Sequence, residues 1–213
     1  MATRRPEFIT FTGVDDRTPI VDLIALSRRY SVEWGILFSP KHQGVRNRYP
    51  TKLPSVEIAH DLCLSAHLCG GYARRVSAYG AAAEIPEIDF TLFQRVQFNG
   101  VWDTRNPRAW ADHHELKPIL QTTAVEFPTP DEVSWLYDRS GGRGEVPHYW
   151  PPSDPRRLVG YAGGIDVSNV LGIIEVINPE GPYWLDMKGR MRDADDWFDL
   201  NRCEAVCRAV YGL

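Results

Sequence analysis

Cysteine is scarce in this chain. The four present, Cys63, Cys69, Cys203 and Cys207, form no C-x-x-C pair and no zinc-finger spacing with histidine. That pattern supports neither a disulfide framework nor a structural zinc site, and reduced thiols are expected. Long apolar runs are also lacking: no stretch of about 20 apolar residues occurs. The charged start, Met1 to Arg5, leads straight into Phe8-Ile9-Thr10-Phe11 without the apolar segment of a secretion signal. A cytoplasmic protein with no membrane partner is expected. Basic runs do not exceed a pair such as Arg28-Arg29 or Arg74-Arg75, and the formal net charge is −4. Without a cationic face, nucleic acid is not an expected partner. No H-x-H or H-E-x-x-H motif or carboxylate cluster points to a metal, and His113-His114, adjacent on a helix, should point apart. No cofactor motif is present either, since no strand is followed by the G-x-G-x-x-G turn of a dinucleotide-binding sheet.

What the chain does have is regular alternation. Its 213 residues, 43% hydrophobic and 24% charged, suit a soluble globular fold. Strands are predicted at 7–12, 33–38, 63–68, 93–98, 117–122, 133–137, 157–162 and 183–187 from short β-rich runs. Between them fall helix-length amphipathic stretches: 19–30, with Thr18 as N-cap and Pro19 in the first turn, then a short one at 54–61, 72–79, about 107–114, 167–177, and a last one from about 197 to 211. Residues 123–132 hold two prolines and are too few for a regular helix, and 140–155 form a long loop rich in Gly and Pro. Eight strands is the number that closes an α/β barrel, and roughly 200 to 250 residues is its usual length. A single-domain (β/α)8 TIM barrel over residues 1–213 is therefore expected, lacking a regular helix between strands five and six. A doubly wound open sheet is the competing architecture.

Several strand ends carry a resemblance, and they do so in order. Val96-Gln97-Phe98-Asn99-Gly100 is similar to V-Q-L-H-G, and Leu136 to Gly144, which reads LYDRSGGRG, is similar to L-L-D-S-x-x-G-G-T-G. Tyr161-Ala162-Gly163-Gly164-Ile165 followed by Val167-Ser168-Asn169-Val170 is similar to A-G-G-L-x-x-x-N-V. Leu185-Asp186-Met187-Lys188-Gly189 is similar to V-D-V-S-S-G, one residue short. Phe38-Ser39-Pro40-Lys41 and Asn47-Arg48-Tyr49-Pro50 resemble F-x-x-x-S-x-R-x-V with an insertion. In this order the motifs resemble the phosphoribosylanthranilate isomerases. The resemblance implies a phosphorylated, ribose-derived small-molecule substrate, an aldose-ketose isomerisation of the tryptophan-biosynthesis type, and a monomer or homodimer.

It also implies roles. Asp138 stands where that family has its general acid, although a carboxylate capping the Gly-rich loop is the plain alternative. Arg48 stands where the family's arginine meets a substrate carboxylate, and a guanidinium suits that group. The family's catalytic cysteine is missing: the C-G-I-T motif is replaced by Thr12-Gly13-Val14-Asp15, and a hydroxyl does not ionise near neutral pH as a thiol can. His67 and Cys69, two apart at the end of strand three, share a face and are the candidate replacement base, with Asp15 or Asp16 as weaker ones. A small buried thiol is the structural alternative for Cys69.

Gly163 and Gly164, before a helix, offer backbone N–H groups to a phosphate, unless they form a plain tight turn. Gly189 offers a second turn, with Lys188 and Arg190 adding charge, and Gly142 and Arg143 complete the phosphate-binding set. Thr12, Gln97, Asn99, Gln121 and Asp186 end strands and suit hydroxyl or amide recognition. Cys203 and Cys207, four apart with Val206 and Val210 nearby, read as a packed helix stripe. Two other readings remain: a related barrel lyase using Lys41 or Lys188 as a Schiff base, and a non-catalytic phosphate-ligand-binding barrel.

Overall fold

A computed structural model describes residues 4–212, so the start of the N-terminal segment, Met1 to Thr3, lies outside the described residues. The strands are β1 (Phe8–Thr12), β2 (Val32–Phe38), β3 (Leu64–Leu68), β4 (Arg95–Phe98), β5 (Lys117–Thr122), β6 (Ser134–Asp138), β7 (Val159–Ala162) and β8 (Tyr183–Met187). They pair in parallel and in sequence order, and β8 closes on β1 through Phe8 to Trp184 and Phe11 to Met187. The molecule is thus an eight-stranded closed (β/α)8 barrel.

The helices are α1 (Ile20–Ser27), α2 (Val56–Ala59), α3 (Gly71–Tyr79), α4 (Arg105–His113), α5 (Val170–Ile177) and α6 (Leu200–Tyr211). Several start elsewhere than the periodicity suggests, because side chains capture their first turns. Pro19, not Thr18, is the N-cap of α1; the Thr18 hydroxyl instead donates to Asp15 across 3.0 Å. Before α5, Asp166 accepts from the Ser168 N–H while Asn169 accepts from the Asp166 N–H, so 166–169 form a turn. Before α6, Asp199 caps the helix by accepting from the N–H groups of Asn201 and Arg202.

No helix follows β5, as expected, and none follows β6. Aromatic packing covers that side of the barrel. Tyr137 donates to the Tyr149 carbonyl at 2.9 Å and Tyr161 to the Pro151 carbonyl at 3.0 Å, and Trp150 is buried between the two rings. Arg157 holds the β5–β6 loop by donating to the carbonyls of Pro128, Thr129 and Pro130.

Strand alternation divides the residues cleanly. Ile9, Phe11, Trp34, Leu64, Val96, Leu120, Tyr161 and Leu185 belong to the apolar cluster beneath the helices. Ile119, Leu136, Ala162 and Trp184 form a second cluster that fills the lumen. Beside it Glu33 and Arg95 make a buried ion pair at 3.2 Å, with Thr10 donating to Glu33 at 2.8 Å and the guanidinium lying 4.3 Å from the Trp184 ring centre. The lower lumen is therefore plugged, and only the C-terminal rim of the strands remains open.

Candidate active site

A cavity of 520 Å³ opens at that rim, the end at which barrels of this type carry their sites. Most of the strand-end residues singled out by sequence line it: Thr12 from β1, His67 from β3 and Cys69 just after it, Gln97 from β4 and Asn99 just after it, Gln121 from β5, Asp138 from β6, and Asp186 from β8 with Lys188 just after it.

Two carboxyl groups face the cavity. Asp138 pairs in register with Ala162, and Ala162 with Asp186, so the two stand level on strands two spacings apart, roughly 10 Å between backbones. Both Asp138 oxygens accept hydrogen bonds, one from Gln121 Nε2 at 3.0 Å and one from Ser140 Oγ at 2.8 Å. Asp186 accepts one bond, from Thr12 Oγ1 at 2.8 Å, on Oδ1. Its other oxygen has no side-chain partner among the described residues. Burial pushes the Asp186 carboxyl up to about 7, over the opposing pull of the Thr12 hydrogen bond and the Lys188 charge, and Asp138 adds to the rise.

The proposed thiol–imidazole base looks different in this setting. His67 is fully buried and meets Ser65 Oγ through Nε2 at 3.1 Å. Burial pushes its pKa down to about 3, with Lys188 and Arg95 pushing the same way, so it is neutral at neutral pH. Cys69 accepts from Asn99 Nδ2 at 3.0 Å; burial raises its thiol pKa, over the opposing pull of Asn99, Lys188 and Tyr49. His67 and Cys69 therefore share the cavity, but as neutral groups.

At the other end, Gly163 and Gly164 adopt φ of 128° and 59°, conformations that suit glycine. A side chain on either would meet the loop after β6, at 2.9 Å from the Glu145 carbonyl oxygen and 2.8 Å from that of Gly144. Among the described residues, the N–H groups of Gly163, Gly164 and Gly189 donate to no backbone carbonyl. Lys188 Nζ lies against the same loop, 2.6 Å from where a Gly142 Cβ would stand. It has no ion-pair partner among the described residues, whereas Arg143 pairs at 3.4 Å with Glu145 and Arg190 at 3.9 Å with Asp166. Free backbone donors beside an unpaired ammonium make this the electropositive end of the cavity.

Other candidates stand apart from the cavity. Arg48 pairs with Asp196 at 2.6 Å and does not line it. Asp15 is buried, accepting from Arg192 and the Phe198 N–H; Asp16 accepts from the Thr51 and Lys52 N–H groups. Lys41 is exposed and outside the cavity, which leaves Lys188 as the lysine within reach of a ligand there. Residues that sequence reasoning did not single out include Ser140, which supports Asp138, and Tyr49 and Trp102 at the rim. Tyr49 and Ser140 lie inside the quoted motifs, so a signal was present for both. Among the described residues no three His, Cys, Asp or Glu side chains converge as a metal site requires, and no helix is long and apolar enough to cross a membrane.

A barrel with an electropositive, glycine-rich corner and two level carboxyl groups at its open rim is the class that fold and site define. No family model and no curated protein matches the chain. Among solved structures it is similar to phosphoribosyl anthranilate isomerase from Thermotoga maritima, with 15% identity, a TM-score of 0.62, and coverage of 99% of this chain and 100% of that one. A phosphoribosyl anthranilate isomerase in complex with reduced 1-(o-carboxyphenylamino)-1-deoxyribulose 5-phosphate matches at 15% identity and TM-score 0.57, covering 96% of this chain and 98% of that one. A mutant tryptophan synthase alpha-subunit from Pyrococcus furiosus matches at 12% and 0.53, with both chains covered over 100%. At these identities the likeness is one of fold: the barrel is that of the phosphoribosylanthranilate isomerases, as the strand-end motifs implied, and another activity shares it.

Proposed function

We propose that the protein is an isomerase acting on a phosphorylated, ribose-derived aminoaldose by Amadori-type proton transfer, with Asp138 and Asp186 as its proton-transfer pair. The observation that carries this reading is the placement of both carboxyl groups at one level, beside an anion corner made of Gly163, Gly164, Gly189 and Lys188. A five-carbon sugar anchored there by its phosphate reaches both.

The hydrogen bonds divide the labour. Asp186, with its carboxyl pKa near 7 and one oxygen free of side-chain partners, holds the proton and serves as acid. It gives that proton to the ring oxygen as the C1–O bond breaks and the amine lone pair forms a C1=N bond. Asp138, an acceptor through both oxygens, takes the proton from C2, and the C–H electrons form the C1=C2 bond while nitrogen regains its lone pair. Asp138 then returns its proton to C1 as Asp186 takes the proton of the C2 hydroxyl, which leaves the ketone and resets both groups. This moves the acid role from Asp138, where the family resemblance puts it, to Asp186. Cys69 and His67, both neutral, contact the substrate.

The test is to incubate phosphoribosylanthranilate with the purified protein and follow the loss of its fluorescence. Accelerated decay that falls by about 100-fold or more in both Asp138→Asn and Asp186→Asn supports the reading, as removal of a general acid or base requires. No acceleration by the wild type, or Asn variants as fast as the wild type, ends it for this substrate.

A further inference from the structure

We propose that the end of the cavity opposite the anion corner receives a neutral, hydrogen-bond-donating group, a carboxamide in place of a carboxylate, so that the ligand is charged at its phosphate end only. This rests on the phosphate reading above and adds the chemistry of the other half of the substrate.

Charge is distributed unevenly around the cavity. Every cationic residue that lines the cavity, Arg139, Arg143, Lys188 and Arg190, follows β6 or β8. The wall contributed by β2 to β5 and their loops carries no charged side chain; its polar groups include Tyr49, His67, Cys69, Thr123 and the amides of Gln97, Asn99 and Gln121. A carboxylate placed there would have only the Lys188 ammonium, whose charge reaches His67 and Cys69 from the β8 side and which the phosphate end also claims, to offset its loss of water. Arg48 does not supply a second cation. It is held by Asp196 at 2.6 Å, and Asp196 is itself held at 2.8 Å by the buried Arg192, which also donates to the Gly13 carbonyl.

The second observation is an unmet acceptor. Gln97 is 4% exposed, its Nε2 donates to Asn99 Oδ1 at 2.8 Å, and Asn99 in turn donates to Cys69. That chain commits one N–H of each amide within the wall and leaves Gln97 Oε1 buried with no hydrogen-bond partner. A buried acceptor left without a partner is destabilising, and a ligand N–H or O–H removes that cost. A carboxylate brings no donor to it, while a carboxamide of the same shape does.

The experiment compares two non-reacting probes by calorimetry: reduced 1-(o-carboxyphenylamino)-1-deoxyribulose 5-phosphate and its o-carbamoyl counterpart, with ribose 5-phosphate as the common half. The expected result is at least about 10-fold tighter binding of the carbamoyl probe to the wild type, a gap of about 1.4 kcal/mol. That gap should shrink to about 3-fold or less in Gln97→Leu, while the affinity for ribose 5-phosphate stays the same in both proteins. Equal affinities, tighter binding of the carboxylate probe, or no binding of the carbamoyl probe to the wild type overturns the inference. Ribose 5-phosphate judges the anion corner on its own, so failure of that reading is distinguishable from failure of this one.

Discussion

Thr12 on the first strand donates its hydroxyl hydrogen to Asp186 on the last across 2.8 Å, closing the seam of the barrel inside the cavity. The residue that replaces the expected cysteine thus holds a carboxyl group in place. Asp186 is as buried as a core side chain, and that burial keeps its proton on to about pH 7. A site without an ionisable thiol at this position therefore still has a titrating group, one strand over.

If Asp186 is the acid, kcat/KM has an alkaline limb. Protonated Asp186 is the active form, so the rate falls about 10-fold per pH unit once pH exceeds about 7, the value to which burial has raised its pKa. Measurement from pH 5.5 to 9 checks this. A limb rising through pH 7 would instead make Asp186 the base.

Asp186→Asn tests the same burial through stability. The unfolded carboxyl has a pKa of about 3.9, and the folded one is raised to about 7. Its stabilising contribution is present below the unfolded value and lost as pH rises through the folded one. The asparagine variant does not titrate, so its melting temperature relative to wild type should move upward as pH goes from 4 to 7 and level off above. A difference that is flat with pH would mean that the carboxyl is not protonated in the fold.

His67 carries the opposite sign. Burial depresses its folded pKa to about 3 from the ordinary 6.5, so the neutral ring should persist throughout pH 5 to 8. Its contribution to stability is lost as pH falls below 6.5, because the unfolded chain binds the proton first. Ring carbon and nitrogen chemical shifts report this directly: no His67 step should appear between pH 5 and 8, while an exposed histidine titrates near 6.5.

The fold was legible in the sequence because burial on both faces makes barrel strands read as short β-rich runs, and the β5 and β8 limits coincide with those expected. Helix starts were less so, since an Asp or Asn just ahead of the helix captures the first turn, as Asp199 does for α6 by accepting from the N–H groups two and three residues on. Most of the site was legible by position, because strand ends of a barrel converge whatever their identity. Its chemistry was not. The Thr12–Asp186 bond joins residues 174 apart in sequence. The rise in the Asp186 pKa comes from three-dimensional burial. Arg48 looks free until Asp196, in the segment after β8, is seen to occupy it.

Three glycines predict different outcomes on replacement by alanine. At Gly160 a Cβ would stand 2.3 Å from the Trp184 ring and 2.7 Å from Leu136. Neither neighbour has room in the plugged lumen, so a loss of about 3 kcal/mol in urea denaturation is expected, the upper end for overpacking. At Gly35 the Cβ would fall 2.5 Å from Thr12 Oγ1 and 3.0 Å from His67 Nε2. There, displacement of Thr12 and of the Asp186 carboxyl it holds should lower activity by about 100-fold. Gly172, on α5 with nothing within 4 Å, is the control, and alanine there should stabilise by about 0.5–1 kcal/mol. If Gly35→Ala retained full activity, the Thr12–Asp186 contact would not matter to the chemistry.

Lys188 separates the proton-transfer reading from the Schiff-base one. Its ammonium lies against the loop at Gly142 and acts on Asp186, in the cavity that Gly163 and Gly189 also line. As a phosphate ligand it contributes charge, so Lys188→Met should raise KM by about 10- to 100-fold, the size of one charge-assisted hydrogen bond of about 1.5–3 kcal/mol. Lys188→Arg should recover much of that loss, because a guanidinium also holds phosphate. A Schiff base demands a primary amine, so under that chemistry both variants would be equally inactive. Borohydride added during turnover would then leave a stable mass increase on the wild type alone. Recovery by arginine with no trapped adduct is the outcome expected here.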